Sequence, residues 1–166
     1  YASRRELGGG VVLTCIHEID YLYWIFGKIS EVTAITSKIS DLEIKVEDYA
    51  AIIAKFKNNF FAEIHLDYYQ RPSTRSFEII GTGGKVTWDL GLNSVRIYKN
   101  NTKKWTQKLK LEKHDHNKMY KKELDHFLKC VQNRRETMNP LSHGIETLKI
   151  ALAVKKSSKQ KKTIKI

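Results

Sequence analysis

The chain has 166 residues, 41% of them hydrophobic, enough to bury one good core and too few to suggest two independent domains. Three Trp, eight Tyr and six Phe against two Pro exclude disorder over most of its length. The formal charge of +12 raises a nucleic-acid or anionic-membrane partner, but the lysines are spread over every predicted strand and helix. Their one dense run is 155–165, and arginine, the better phosphate reader, is scarce. A solvated basic surface with no nucleic-acid partner is the expectation.

The first helix is predicted from Ile16 to Phe26, ending at Gly27, which can adopt the left-handed conformation that suits a helix C-terminus. Ile19, Leu22, Tyr23 and Phe26 share one face and should enter the core. At about 100° per residue, His17, Asp20, Tyr21 and Trp24 fall on the opposite side, an unusual set for a face that only meets water. From 29 to 111 the apolar pattern changes to period two, with strands predicted at 29–39, 47–57, 60–70, 75–81, 84–90, 94–99 and 104–111. The clearest hairpin sets Ala50, Ile52, Ala54 and Phe56 against Phe60, Ala62, Ile64 and Leu66 across Asn58-Asn59, with Lys55, Lys57, Glu63, His65 and Asp67 on the opposite face. Gly81-Thr82-Gly83-Gly84 and Asn100-Asn101 mark two further turns. Helices follow at 117–133, with Tyr120, Leu124, Phe127, Leu128 and Val131 on one side, and at 142–157, with Ser142 as N-cap after Pro140. A short strand at 163–166 closes the chain. The pattern predicts an α+β domain: a mostly antiparallel open sheet with helices packed on one face.

Cys15 and Cys130 are far apart, which fits free thiols in a reducing compartment better than a disulfide framework. No signal peptide and no apolar run of the ~18 to 20 residues that a membrane span needs are seen, so a soluble cytoplasmic protein is expected. The chain begins Tyr1-Ala2-Ser3-Arg4-Arg5 without Met and reads as a fragment.

Chemistry concentrates near the first helix. Gly8-Gly9-Gly10 precede it, and glycines there let backbone approach a ligand or turn with positive φ. His17 stands in its first turn with Asp20 three residues on, a spacing that lets a carboxylate orient the imidazole and favour its charged form. Such a histidine can take a proton from a sugar hydroxyl while hydride leaves the carbon. A helix-terminal histidine that merely packs or caps satisfies the same spacing. Arg71 and Arg75 could grip a carboxylate or phosphate through paired donors, or be surface arginines at strand ends. His114-Asp115-His116 supplies two histidines at i, i+2 without a third fixed ligand, so no metal site is expected. Trp24, Trp88 and Trp105 are too dispersed for a stacking platform and are expected in core and interface packing.

The stretch Glu6 to Gly27, a glycine triplet, an apolar run, His17, Asp20 and an amphipathic helix, resembles the start of the C-terminal domain in the Gfo/Idh/MocA family of NAD(P)-dependent oxidoreductases. The resemblance continues through Glu47-Asp48-Tyr49-Ala50, Arg71-Pro72, Arg75, Glu78 to Asp89, Tyr120…Glu123-Leu124…Phe127 and the ending Ala151 to Ile166, so it covers nearly the whole chain. It implies a fold like the C-terminal domains of dihydrodipicolinate reductase and glyceraldehyde-3-phosphate dehydrogenase, residues 1–166 forming one substrate-binding and oligomerisation domain. The fold's N-terminal dinucleotide-binding domain is absent from this sequence, and no Gly-x-Gly-x-x-Gly turn opens a helix.

The resemblance also implies an oxidoreductase acting on the CH–OH group of a sugar, nucleotide-sugar or cyclic polyol, with NAD or NADP bound in the full-length protein and none to this fragment. His17 would be general acid or base, with Asp20 and Thr14 beside it. Gly9, Gly10, Arg71 and Arg75 would line the substrate cleft, and a second copy would bind through the open sheet face. Related sequences often carry Asp three or four residues before the histidine. Leu13 and Thr14 stand there, which puts a strict Asp–His mechanism in doubt. Two other readings stay open: a non-catalytic association module and a basic nucleic-acid binder.

Overall fold

The computed structural model describes residues 1–110 and 116–166. A single turn of 3-10 helix at Arg5–Leu7 opens the chain. It is followed by α1 (Val11–Thr14), α2 (His17–Phe26), β1 (Ile29–Ser37), β2 (Tyr49–Phe56), β3 (Phe61–Asp67), β4 (Ser76–Gly81), β5 (Gly84–Asp89), β6 (Ser94–Lys99), β7 (Lys104–Lys110), α3 (His116–Gln132), α4 (Leu141–Gln160) and β8 (Ile164–Lys165). The architecture is α+β as the pattern predicts, but the strands form two four-stranded antiparallel sheets, β3-β2-β1-β8 and β4-β5-β6-β7. The break falls between β3 and β4, where Pro72, having no N–H, cannot donate to a ladder. By contacts the chain divides into two compact units, 1–69 with 138–166, and 70–137.

In the first unit, period-two burial decides the layers. Val32, Ala34, Ala50, Ile52, Ala54, Phe56, Ile64 and Leu66 point to one face and are buried, because alternate side chains leave a pleated strand on opposite sides. The hairpin pairs as the alternation requires, Ile52 opposite Ile64 and Ala54 opposite Ala62, and Asn59 supplies the positive φ of its turn. Val11, Val12 and Ile19 from the N-terminal helices and Ile150, Ala151 and Val154 from α4 complete the cluster, with Leu22, Tyr23 and Phe26 packed at its margin. At about 25 cal/mol per Å² of apolar surface removed from water, this cluster is the main stabilising element of the unit.

Two details hold the sheet edge. The terminal strand, expected at 163–166, pairs β8 with β1 only at Ile164 and Lys165. Beyond it, the backbone N–H groups of Ala34 and Thr36 donate to the hydroxyls of Ser157 (3.0 Å) and Ser158 (2.8 Å) at the end of α4, so the exposed side of β1 is satisfied without a partner strand. The 38–48 loop is closed by Asp48, fully buried, whose carboxylate accepts from the backbone N–H of Ile39 (2.7 Å) and Ser40 (3.1 Å) and from the Ser40 hydroxyl. Burial alone would push this carboxyl up. The Ser40 hydroxyl and the two backbone donors more than offset it, holding Asp48 below the usual carboxylate range.

The second unit holds β4 to β7 and α3. Its sheet is a meander, with Phe77 opposite Trp88 and Ile79 opposite Val86. Gly84 makes the first turn possible: at φ +150 its α-carbon sits so close to the Tyr98 carbonyl that a Cβ would lie 2.0 Å from it. The Phe77 and Trp88 rings meet at a tilt with centroids 5.2 Å apart, and Arg96 lies 4.5 Å over the Trp105 ring. The apolar side of α3 is in place, but Tyr120, Leu124, Phe127, Leu128 and Val131 are all exposed.

Ser142, expected to cap α4, lies inside it: Pro140 occupies the cap position in an extended conformation and no side chain caps the end, because the ring fixes φ and prevents the preceding residues from turning helical. Of the tryptophans expected in core or interface packing, Trp24 and Trp105 are exposed. His114-Asp115-His116 falls largely on 111–115, outside the described residues.

Candidate functional site

Gly8 and Gly10 both adopt positive φ, +78 and +109, and Gly9 lies so close to the backbone of 1–4 that a Cβ would meet the Ala2 carbonyl at 2.5 Å. Turning here places the Val11 N–H on the Glu47 carbonyl at 2.9 Å and starts α1. A Cβ on Gly10 would meet the Glu47 carboxylate at 2.3 Å, so glycine is required by both conformation and space. That carboxylate is itself held by Lys155 of α4 at 2.7 Å, with the Glu47 side chain mostly buried.

Thr14 ends α1, and its hydroxyl is buried. Beside it lies Tyr68, whose hydroxyl is pushed up by burial. Cys15 and Ile16 then break the helix, and α2 begins at His17. The His17 imidazole is half exposed, its side chain 51% accessible. It is neither walled into the core nor covered by the helices around it.

The acid that meets His17 is not Asp20. Glu18 Oε1 lies 3.1 Å from His17 Nε2, and the Glu18 side chain is only 13% exposed. Asp20 is taken by α4: its Oδ1 accepts from the Thr147 hydroxyl at 2.9 Å and lies 3.1 Å from His143 Nε2. The His143 ring also meets Tyr23 edge-on, centroids 4.6 Å apart, and lines an open cleft with Lys28, Ser142 and Glu146. The spacing argument that paired His17 with Asp20 therefore fails for a tertiary reason. A carboxylate reaches either along its own helix or sideways to a neighbour, and here the buried Thr147 hydroxyl on α4 holds it, with the mostly buried His143 ring beside it.

Arg71 and Arg75 belong to the second compact unit, while Thr14, His17, Asp20, Gly9 and Gly10 belong to the first. Arg71 Nη1 donates to the Gln70 carbonyl at 2.7 Å, and Arg75 lies 5.9 Å over the Trp88 ring. Sequence reasoning missed Glu18, Glu47, His143, Thr147 and Lys155. Glu18 is hidden because neighbours on a helix diverge and do not ordinarily face each other. His143 and Thr147, four apart on one helix, are visible as a polar pair, but only the contact of α2 with α4 gives them a partner.

Among the described residues no group of three metal-ligating side chains occurs, and no helix is long and apolar enough to cross a membrane. Among the described residues all strand pairs are antiparallel and Gly81 to Gly84 form a hairpin turn, so these residues do not build the βαβ cradle that holds a dinucleotide.

Comparison with known proteins fits this arrangement. No curated protein matches the chain by sequence, but solved structures match its fold. An oxidoreductase domain protein from Kribbella flavida superposes with TM-score 0.84 at 14% identity, over 96% of this chain and 50% of its own. An aldose-aldose oxidoreductase from Caulobacter crescentus, complexed with glycerol, does so with TM-score 0.81 at 19% identity, over 96% and 48%. The WlbA dehydrogenase from Bordetella pertussis, in complex with NADH and UDP-GlcNAcA, gives TM-score 0.72 at 18% identity, over 95% and 48%. The chain thus spans about half the length of the structures it matches. The model of the oxidoreductase family's C-terminal alpha/beta domain matches residues 2–166, and the chain belongs to that family, Gfo/Idh/MocA.

Proposed function

We propose that this chain is the substrate-side and assembly domain of an NAD(P)-dependent dehydrogenase acting on a secondary alcohol of a sugar, nucleotide-sugar or polyol, with His17 as the group that takes the hydroxyl proton. The observation that carries the reading is a half-exposed imidazole at the entrance to α2, which follows in the chain a glycine turn that is tight for steric reasons. Support comes from the relatives: the fold neighbours include proteins solved with glycerol, and with NADH and a nucleotide-sugar. When bound, a nicotinamide supplies hydride acceptance, but the residues here do not fit its dinucleotide, so a separate Rossmann lobe must hold it and this chain alone would be inactive.

The residues of this chain have narrower tasks. Gly9 and Gly10 let the chain turn tightly against the backbone of 1–4 and against Glu47. The Thr14 and Tyr68 hydroxyls are buried, and the Glu47–Lys155 pair holds the turn. Arg71 and Arg75 remain candidates to bind an acidic group of the substrate. The test is kinetic, on the protein carrying its dinucleotide lobe: His17→Ala lowers kcat by about 10²-fold or more if the imidazole transfers the proton. Unchanged kcat defeats the assignment.

One observation favours association as a second role. The face of β1 to β3 turned away from the helices exposes Ile35, Ile53 and Phe61 among Glu31, Lys55, Glu63 and His65, a mixture suited to a homo-oligomer contact. Light scattering decides it: a monomer at high concentration, unchanged by Ile53→Lys, removes this role. Oligonucleotide affinity at low salt that falls steeply as salt rises would instead favour a nucleic-acid binder.

A further inference from the structure

We infer that Glu18 is the positioning acid of His17, the role that the spacing pattern gave to Asp20; the inference rests on the proton-transfer reading above. Three observations converge. The Glu18 carboxylate lies 3.1 Å from His17 Nε2. Its side chain is 13% exposed against 51% for His17, so a sheltered acid meets an accessible ring, the arrangement in which the carboxylate orients and the imidazole reacts. Asp20 is otherwise engaged, by Thr147 at 2.9 Å and His143 at 3.1 Å on α4.

The local backbone explains why Glu18 can hold still. It is the second residue of α2, in a first turn that no side chain caps, where the positive end of the helix favours a carboxylate. Its own N–H is spent on the Cys15 carbonyl at 3.0 Å, across the break between α1 and α2.

The pairing also selects the reacting nitrogen. With the Glu18 carboxylate 3.1 Å from Nε2, a neutral ring is favoured that keeps its proton on that side and its lone pair on Nδ1. On reaction the substrate O–H bond breaks, an Nδ1–H bond forms, the electron pair stays on the substrate oxygen, and the imidazolium so created faces an anion 3.1 Å from its other nitrogen. Nδ1, not Nε2, is the base, and Thr14 need not ionise.

Two measurements test this. In the NMR spectrum of the chain, His17 should show a slowly exchanging Nε2–H signal, lost in Glu18→Ala and kept in Asp20→Asn. The reverse result, loss in Asp20→Asn alone, overturns the assignment. In the protein with its dinucleotide lobe, Glu18→Ala should lower kcat by about tenfold with KM changed by less than about twofold, and Glu18→Gln, which keeps an acceptor oxygen but no charge, should fall between Ala and wild type. If His17→Ala lowers kcat and Glu18→Ala does not, this inference fails alone. If His17→Ala has no effect, the reading beneath it fails as well.

Discussion

The two sheets share one plan, four antiparallel strands with short turns, and differ in what covers them. In β3-β2-β1-β8 the inward face is buried along three strands, and helices α1 and α4 lie on it. In β4-β5-β6-β7 Phe77, Ile79, Val86, Trp88 and Ile97 alternate just as regularly, yet among the described strand residues of that sheet only Ser94 is buried. Alternation is thus sufficient to make a sheet and insufficient to make a core. A core also needs an element whose apolar stripe reaches the face, and α4 provides one through Thr147, Ile150, Ala151 and Val154. The α3 helix of the second unit keeps its apolar side in the open.

Substitutions can sharpen or break this contrast. The largest effect belongs to the first sheet: Phe56→Ala removes a ring that is 1% exposed and meets Phe26 and Phe60 edge-on, and should cost about 3–5 kcal/mol in a denaturant titration. Trp88→Ala, half-buried in the second sheet, should cost about 1–2 kcal/mol. Equal losses would mean that the two sheets are equally well cored and the contrast is wrong. Between them stands Gly10→Ala, expected at about 2–3 kcal/mol because the new Cβ meets both a disfavoured φ and the Glu47 carboxylate. Its melting curve should recover in part when Glu47→Ser opens the space.

A smaller, pH-resolved effect isolates the 38–48 loop. Asp48 titrates below its ordinary 3.8 in the folded chain, so its stabilisation is present above that value and is lost as pH falls through the folded pKa. Acid unfolding followed by circular dichroism should show that loss in the wild type and a flatter profile below about pH 4 in Asp48→Asn. The smallest effect is expected on α3: Leu124→Ser, at an exposed position, should change stability by no more than about 0.5 kcal/mol. A larger loss would show that α3's apolar side is covered in solution.

Much of this molecule is legible in its sequence, and the reasons are local. Period-two alternation placed the strands from Ile29 to Lys110 within a few residues, since each strand's inward and outward sets are written in order along it. Gly27, Asn59 and Gly84 mark real positive φ angles, because backbone sterics act within a residue or two. The glycine triplet and a histidine in the first turn of the first helix were also visible. Less legible was any feature joining distant segments: the Ser157–Ser158 stitch to β1, the Glu47–Lys155 pair across 108 positions, and the diversion of Asp20 to His143 and Thr147.

What the sequence determined by itself, then, is which residues form strands and helices, which of them seek the interior, and that an imidazole stands at the mouth of α2. What only the tertiary structure decided is who meets whom: that the strands part into two sheets, that one of these is cored, and that Glu18 faces His17 while Asp20 turns to α4. Patterns report the direction a side chain leaves its own backbone. The partner it finds there depends on competition among groups that may lie more than a hundred residues away, and that competition is settled by burial and hydrogen-bond geometry.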